Sequence, residues 1–251
     1  MNKVSVVIIT LNEEKNIKDC LESVSWANEI IVVDSGSQDK TVEICRQFTD
    51  SVYDVPWQGF GKQKNSAVDL AHFDWILSID ADERVTPELK EEIKALLNDD
   101  PPFPGYFISR KSYFGKRLIL HCGWFPDFSI RIFDRRKGRF NEAGVHESVQ
   151  LNGKPGYLNH SLIHFTYKNI SDFLVRMNRY STLAANDLFK DKRNWAVIKM
   201  ILHPPATFLR MYILKQGFKE GFPGIILSGL YAFYTFVKYS KLWELNKNAK
   251  N

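Results

Sequence analysis

Short apolar runs alternate with segments of helical period along residues 4–100. Residues Val4 to Ile9 are almost continuously apolar and rich in β-branched side chains, as in a parallel strand that is covered on both faces. The next segment places Ile17, Leu21 and Val24 on one helical face, and Asn12 can cap that helix. The pattern therefore predicts a buried strand followed by an amphipathic helix.

The same alternation continues along the chain. Apolar strands are expected at residues 29–33, 52–55 and 75–80. A loop is expected over residues 57–64, before a helix through Ala67. The segment Thr86 to Glu88 starts the next helix with a cap, a proline and an acid. Repeated strand, helix, strand units predict an α/β fold with a doubly wound, mostly parallel sheet.

Ligands of such sheets bind at the carboxyl ends of the strands, and three of these ends are polar. They are Thr10 to Glu13, Asp34 to Ser37 and Asp80 to Glu83. The first has no glycine, which argues against a P-loop and a dinucleotide-binding turn. A nucleotide here would be recognised by side chains, with Asp34 placed to accept a hydrogen bond from a base imide. Taken alone, the Asp34 segment is more typical of a turn that caps a helix.

The acidic stretch after the strand at 75–80 predicts a bound cation. Asp80 and Asp82 are two positions apart in an extended segment, so their side chains point the same way and can converge. Carboxylates at the end of a buried strand keep their charges only when they are paired or bound to a metal. Oxygen ligands favour Mg²⁺ or Mn²⁺ over zinc. The alternative is an acidic loop that caps the next helix.

Charge and composition separate the two ends of the chain. Residues 168–251 contain 14 Lys or Arg against 5 Asp or Glu, whereas the whole chain has a net charge of +5. The basic end is also rich in aromatic residues, which suits an anionic surface. We therefore expect a nucleotide-binding domain at 1–167 and a helical region at 168–251. The three scattered cysteines and the absence of a signal-peptide pattern predict a cytoplasmic protein.

Together these segments resemble the family-2 glycosyltransferases, which are inverting enzymes with the GT-A fold. The similar segments are Val6 to Glu13, Val32 to Thr41, Gly61 to Ala67 and Asp80 to Asp82, with Leu11 where an aromatic residue is usual and Ser35 where an aspartate is commoner. The resemblance implies nucleotide contacts from Thr10, Leu11, Asn12, Glu13, Asp34, Lys62, Asn65, Asp80 and Ala81. It also implies direct metal contact by Asp82, with Asp80 in a supporting role toward the ribose or a metal-bound water.

Three later segments narrow the resemblance. Gly123 to Phe133, Gly138 to Phe140 and Val145 to Glu147 look like the branch that adds glucose to the inner core of bacterial lipopolysaccharide, the heptose-directed β-1,4-glucosyltransferases. This resemblance implies UDP-glucose as the donor and a membrane glycolipid or lipopolysaccharide core as the acceptor.

An inverting transfer needs a general base, and the sequence offers two carboxylates for that role. Asp127 lies where the family carries its acceptor-side acidic motif, and Arg131 would hold it ionised if the segment is helical. The segment also alternates like a strand, and Asp127 could belong to a simple Pro-Asp turn. Glu147 is the alternative base. His146 is a candidate ligand of the metal or contact of the diphosphate, and the other histidines are left unassigned.

The C-terminal region is predicted to be helical, with breaks at His203-Pro204-Pro205 and at Gly221 to Gly224. The apolar run Phe222 to Val237 has 16 residues, and a spanning helix needs about 20. Apolar residues interleaved with Lys199, Arg210 and Lys215 are typical of helices that lie in a membrane interface. We expect peripheral association with the inner face of the cytoplasmic membrane. The alternative is packing on the domain or on a second subunit of a homodimer.

Three other functions are compatible with parts of the pattern. A basic, aromatic tail also occurs in nucleic-acid-binding proteins, but the chain has no helix-turn-helix, RRM or zinc-finger signature, so no nucleic acid is expected. A sugar-nucleotide pyrophosphorylase would have a glycine-rich turn after the first strand, and residues Thr10 to Asn16 lack one. A sugar-binding module without activity would lack donor hydrolysis. A glycosyltransferase that uses another polysaccharide or lipid carrier is the alternative within the same enzyme class.

Overall fold

In the computed structural model, which describes residues 2–142, 147–190 and 196–249, the strands follow the apolar runs of the sequence. The chain divides into two units, one of residues 1–111 and 127–164 and the other of residues 112–126 and 165–251. The boundary at 165 lies near the one expected at 167. Residues 112–126, which we expected in the first domain, group with the C-terminal region.

The first unit begins with a parallel sheet. Its strands are β1 (Val4–Thr10), β2 (Glu29–Asp34), β3 (Val52–Asp54) and β4 (Trp75–Asp80). β1 pairs with β2 on one side and with β4 on the other, and β3 pairs with β2, all in parallel. Val6, Ile8, Ile31 and Leu77 are completely buried, because both faces of this sheet are covered. The predicted α/β fold is confirmed.

Antiparallel strands extend the sheet beyond β4. The remaining strands are β5 (Glu83–Val85), β6 (Gly105–Phe114), β7 (Arg117–Ile119), β8 (Asp127–Asp134), β9 (Gly138–Phe140), β10 (Val149–Leu151) and β11 (Gly156–Tyr167). The order of the main sheet is β3-β2-β1-β4-β8-β6-β11-β5; β7 pairs with β6, and β9 pairs with β10 in a separate two-stranded sheet. The carboxyl end of β4 therefore lies beside β8, which starts at Asp127.

Four helices cover the sheet of the first unit, and they are α1 (Ile17–Val24), α2 (Thr41–Cys45), α3 (Phe60–Asp69) and α4 (Pro87–Asn98). The predicted stripe Ile17, Leu21 and Val24 is buried. The predicted start of α4 is also confirmed, because Oγ1 of Thr86 accepts a hydrogen bond from the backbone N–H of Leu89 at 3.2 Å.

Two local predictions were wrong. Asn12 does not cap α1, because the helix begins at Ile17 and Asn12 adopts a left-handed conformation with φ of 55°. Residues 60–64 are not a loop, because α3 begins at Phe60. Gly61 lets the first turn of this helix lie against Asn141, since a Cβ at this position would lie only 1.9 Å from the backbone oxygen of Asn141.

The second unit is mainly helical. It contains α5 (Ile170–Lys190), α6 (Ala196–Leu209), a π-helical turn (Arg210–Leu214), a 3₁₀ turn (Gly217–Glu220) and α7 (Phe222–Asn248). The predicted break at Gly221 is present, but the break at Pro204 and Pro205 is not, because α6 continues through both prolines. α6 contacts α7 just after the prolines, where the side-chain oxygens of Thr207 and Thr235 lie 3.3 Å apart. Within the described residues, no helix is both long enough and apolar enough to span a membrane.

Candidate active site

Lys64 on α3 is the first member of a chain of alternating charges. Its side chain is only 5% exposed, and Nζ lies 2.9 Å from Oδ1 of Asp80 and 2.9 Å from Oε1 of Glu147. Burial alone would lower the pKa of Lys64, but the charges of Asp80 and Glu147 outweigh it and raise the pKa. Lys64 is therefore a buried ammonium between two carboxylates.

The chain of charges continues from Asp80 to Arg131 in β8. Nη2 of Arg131 lies 3.0 Å from Oδ2 of Asp80 and 2.6 Å from Oε1 of Glu83. Glu83 is completely buried, and its Oε2 accepts the backbone N–H of Asp80 at 2.9 Å. Burial would raise the pKa of Asp80, but Lys64 and Arg131 hold it well below its usual range. Asp80 is therefore a carboxylate with a cation on each oxygen.

Arg110 in β6 joins Glu83 to Asp127. Its Nη1 lies 3.4 Å from Oε1 of Glu83, its Nε donates to Oδ2 of Asp127 at 2.9 Å, and its Nη2 donates to the same oxygen. The complete order is Glu147, Lys64, Asp80, Arg131, Glu83, Arg110, Asp127. The two carboxylates that the sequence offered as general base thus lie at the two ends of one ion-pair chain.

The predicted pairing of Arg131 with Asp127 was wrong. It required a helix, and the segment is the strand β8. Residues four apart in a strand are separated by about 13 Å, so Arg131 reaches Asp80 and Glu83 instead. The partner of Asp127 is Arg110, which lies directly opposite it in the β6–β8 pairing.

Asp82 faces His164 of β11. Nε2 of His164 lies 3.5 Å from Oδ2 of Asp82. Burial would lower the pKa of His164, but the hydrogen bond and the charge of Asp82 outweigh burial and raise it. The pairing of β5 with β11 places His164 opposite Glu83, and this contact could not be read from the spacing of the histidines.

The donor set at the end of β4 fits Mg²⁺ or Mn²⁺. No group of three or more His, Cys, Asp or Glu side chains in the described part of the chain could hold a metal by itself. Mg²⁺ commonly binds one or two carboxylates together with water and substrate phosphates. Asp82 can supply one carboxylate, whereas both oxygens of Asp80 already contact cations. The ion-pair chain has four carboxylates against three cations, so it does not by itself neutralise a diphosphate. His146 lies outside the described residues.

Hydrogen bonds tie the loop after β1 to the loop after β2. The backbone N–H of Asn12 donates to Oγ of Ser37, and Oδ1 of Asn12 accepts the N–H of Gln38, both at 2.8 Å. Asp34 is buried, and its Oδ2 accepts the backbone N–H groups of Gly36 at 2.8 Å and Ser37 at 2.7 Å. Asp34 therefore shapes the turn, which is one of the two roles that the sequence suggested.

Thr10, at the end of β1, carries a buried hydroxyl for which the described residues provide no hydrogen-bond partner. Nearby, Nε2 of Gln63 donates to Oγ of Ser35 at 3.0 Å and to the backbone oxygen of Val55 at 2.9 Å, which joins α3 to the loop after β2. Buried polar atoms in proteins are nearly always paired. The Thr10 hydroxyl is thus an unpaired buried polar atom at the carboxyl end of β1.

Comparison with known proteins decides the family of this chain. The sequence profile of Glycosyl transferase family 2 matches residues 5–147, a range that contains every member of the ion-pair chain. The chain belongs to glycosyl transferase family 2. It is therefore an enzyme, a glycosyltransferase that depends on a nucleotide sugar.

The similarity to two individual glycosyltransferases extends beyond the region that the profile matches. The lipopolysaccharide core biosynthesis glycosyltransferase LpsC of Rhizobium meliloti is 31% identical, over 96% of this chain and 92% of its own length. An uncharacterized glycosyltransferase of Rickettsia felis is 32% identical, over 100% of this chain and 93% of its own. The crystal structure of S. aureus TarS 1-349 in complex with UDP-GlcNAc is 15% identical, with a TM-score of 0.49 over 98% of this chain and 92% of that one.

Lys62 and Asn65 of this family-2 transferase were expected to contact the nucleotide, but in the structure both contact other protein residues. Lys62 is 50% exposed, with Nζ 3.6 Å from Oε2 of Glu142. Asn65 is buried; its Nδ2 donates to the backbone oxygen of Phe140 at 2.9 Å, and its Oδ1 accepts the Phe140 N–H at 3.1 Å. Both polar atoms of Asn65 thus hold β9 in place.

The remaining predicted contacts lie in the loops at the carboxyl edge. Leu11 is exposed. The backbone N–H of Glu13 donates to Oγ1 of Thr41 at 2.8 Å, and its Oε2 accepts Nδ2 of Asn16 at 2.6 Å. Ala81 is buried, and its carbonyl accepts a hydrogen bond from Arg84 at 3.0 Å. Their contacts with a nucleotide remain predictions.

Proposed function

We propose that this enzyme is an inverting glycosyltransferase that moves glucose from UDP-glucose to a membrane glycolipid of the lipopolysaccharide-core type, with the help of Mg²⁺ or Mn²⁺. The observation that supports it best is the ion-pair chain, in which Asp80 of the metal motif lies between two candidate bases. The similarity to LpsC, a lipopolysaccharide core biosynthesis glycosyltransferase, supports the acceptor class. The choice of glucose as the donor sugar rests on the resemblance of the segments between residues 123 and 147 to the glucosyltransferase branch.

The nucleotide would bind at the carboxyl edge of β1 and β2. Asp34 is proposed to accept the base imide N–H, and the unpaired hydroxyl of Thr10 offers a further polar contact. The residues of the loop after β1, Leu11, Asn12 and Glu13, would line the same side. This arrangement uses side chains for recognition, as expected for a strand end without glycine.

Asp82 would hold the metal beside the donor diphosphate, and Asp80 would support it through a metal-bound water or the ribose. Such an ion stabilises the negative charge that develops on the leaving diphosphate. Lys64 and Arg131 keep Asp80 ionised and fixed, which suits a supporting role and leaves the direct metal contact to Asp82. His164 holds Asp82 from the side of β11.

Asp127 is proposed as the general base. It takes the proton from the acceptor hydroxyl while that oxygen forms a bond to the anomeric carbon of the donor sugar. The bond from this carbon to the diphosphate oxygen breaks, UDP leaves, and the proton remains on Asp127. Attack from the side opposite the leaving group inverts the anomeric configuration. Asp127 suits this role because its side chain is 43% exposed, whereas Glu147, the alternative base, is more buried and paired with Lys64.

A panel of nucleotide sugars tests this proposal. The enzyme is incubated with each sugar and Mn²⁺, with and without a chelator, and hydrolysis of the donor is scored. UDP-glucose is expected to be hydrolysed fastest, and the chelator is expected to stop the reaction. The Asp82→Asn variant should remain folded but should not hydrolyse the donor. Hydrolysis of none of the sugars would contradict the proposal. Preference for another donor would keep the enzyme class and reject glucose.

The acceptor class implies a partner, the anionic inner surface of the cytoplasmic membrane, and α6 carries a face that suits it. One side of α6 packs on α7, where Nδ1 of His203 lies 3.1 Å from the hydroxyl of Tyr239. The other side is apolar and exposed. We call it the outer face of α6, and it consists of Ile198, Ile201, Leu202 and Leu209, together with Ile213 and Leu214 of the π-helical turn that follows; all six are between 46% and 75% exposed.

Charge favours lipid as the occupant of this outer face. Residues 196–219 include four Lys or Arg and no Asp or Glu. An apolar stripe flanked only by positive charge is typical of a helix that lies in the plane of an anionic membrane. A second copy of the chain would bring four more positive charges to the same surface and would be repelled.

Sedimentation with vesicles tests this partner. Binding to phosphatidylglycerol vesicles is expected, with much weaker binding to phosphatidylcholine vesicles. The double change Ile201→Glu and Leu202→Glu should abolish binding, whereas Val175→Glu on α5, which is 72% exposed, serves as the matched control and should bind normally. Equal binding of the two variants would contradict the role of the outer face. A dimer in light scattering that the double change dissociates would instead favour a second copy.

A further inference from the structure

We infer that Arg110 is a positioning residue for sugar transfer, which holds Oδ2 of Asp127 and leaves Oδ1 to take the proton of the acceptor hydroxyl. The inference rests on the proposed function, in which Asp127 is the general base. Strand pairing is its foundation, because Arg110 in β6 lies directly opposite Asp127 in β8. The backbones of both residues are therefore fixed by the hydrogen bonds of the sheet.

The two oxygens of Asp127 differ in their surroundings. Nε and Nη2 of Arg110 both donate to Oδ2. Oδ1 has no hydrogen-bond partner among the described residues. A guanidinium that donates two hydrogen bonds to one carboxylate oxygen restricts rotation of the carboxylate about the Cβ–Cγ bond. The free oxygen then keeps one direction, which is what a base needs to meet a hydroxyl held by the rest of the site.

Glu83 holds Arg110 from the other side. Oε1 of Glu83 lies 3.4 Å from Nη1 of Arg110, the nitrogen that does not contact Asp127. Glu83 itself is completely buried and is fixed by Arg131 and by the backbone N–H of Asp80. The guanidinium thus has partners on two edges, and its orientation is set by the end of β4. The position of the base is in this way linked to the proposed metal motif.

The expected size of the effect separates positioning from simple stabilisation. Ion pairs as accessible as Arg110 with Asp127 contribute little to stability. Loss of Arg110 also leaves the buried Glu83 with Arg131 as its nearer cation, at 2.6 Å, so the fold should stay largely intact. Misplacement of a reacting group by about 1 Å can reduce the rate about 100-fold. A positioning role therefore predicts a large change in kcat with a small change in thermal unfolding.

Three variants test the inference: Arg110→Gln, Arg110→Lys and a control, Arg139→Gln. Arg139 is a matched control because it bonds both oxygens of Asp69 at 2.7 Å, away from the ion-pair chain. We expect Arg110→Gln to lower kcat about 100-fold with an unchanged KM for the donor. Arg110→Lys keeps the positive charge but cannot donate from two nitrogen atoms to Oδ2 of Asp127, so its kcat should fall about 10-fold. Arg139→Gln should transfer sugar at the original rate.

The outcomes separate the inference from the proposed function. Wild-type kcat in Arg110→Gln, while Asp127→Asn is inactive, would overturn the positioning role and leave the base in place. Wild-type kcat in Asp127→Asn would overturn the base itself. If Arg110→Gln does not fold, Arg110→Lys decides: a kcat equal to that of the wild type means that the two-atom contact is not needed, and the inference is rejected.

Discussion

Nζ of Lys64 lies 2.9 Å from Oδ1 of Asp80, and this contact joins helix α3 to the carboxyl end of strand β4. The sequence predicts a loop at residues 57–64. Lys64 is instead buried in the first turns of a helix and also contacts Glu147. The centre of the candidate active site is therefore a buried lysine that contacts two carboxylates.

Replacement of Lys64 by methionine tests the importance of this contact for stability. The change leaves the carboxylates of Asp80 and Glu147 without their shared cation. Removal of one partner from a buried ion pair is expected to lower the free energy of unfolding by about 3 kcal/mol. Urea denaturation measures the difference.

Lys62→Met is the matched control, because Lys62 lies on the same helix and is half exposed. This change should alter the free energy of unfolding by no more than about 0.5 kcal/mol. If both methionine variants are equally stable, the Lys64 contacts do not contribute to the fold.

Glu220 should make the second unit sensitive to acid. Its Oε1 accepts the backbone N–H groups of Leu120 at 2.9 Å and His121 at 3.0 Å. Burial would raise the pKa of Glu220, but its hydrogen bonds with His121 and Leu120 outweigh it and lower the pKa. A lowered pKa means that its contribution to stability is complete above the unfolded pKa, about 4.3, and is lost as the pH falls through the folded value.

Unfolding measured from pH 7 down to pH 3 checks this prediction. The wild type should lose stability on acidification, and Glu220→Gln should start less stable and lose less. Glu244→Gln, an exposed acid on α7, should follow the wild-type curve. The same pH dependence in Glu220→Gln and the wild type would show that Glu220 is not the sensitive group.

The cysteines should be inert in the folded protein. Cys20, Cys45 and Cys122 are all buried. Burial raises the pKa of Cys45 to about 12, and it also raises that of Cys20 and Cys122. Thiolates are therefore scarce at pH 8, and a thiol reagent should label none of the three rapidly until urea is added. Fast labelling of Cys45 in the native protein would mean that its surroundings open readily.

The sequence was sufficient for the elements that local patterns define. Strand β4 and helix α4 could be predicted because burial on both faces selects an apolar run, and because Thr86 and Pro87 favour a helix start. Four polar segments in the right order also indicated the family, which the comparisons confirm.

Contacts between distant strands could not be predicted in this way. Arg110 meets Asp127 only through the β6–β8 register, and His164 meets Asp82 only because β11 pairs with β5. These registers depend on tertiary packing, and no short-range signal in the chain specifies them. The same reason explains why Glu83 was noted in the sequence as part of an acidic stretch but received no role.

In the proposed mechanism, Asp127 acts as the base in the transfer of glucose. The most direct test is a transfer assay with UDP-glucose, Mn²⁺ and a lipopolysaccharide-core glycolipid, which compares Asp127→Asn with Glu147→Gln. Asp127→Asn should bind UDP-glucose as the wild type does but transfer no measurable sugar, whereas Glu147→Gln should retain transfer. Transfer by Asp127→Asn at near the wild-type rate would contradict this mechanism, and loss of transfer in Glu147→Gln alone would assign the base to the other end of the ion-pair chain.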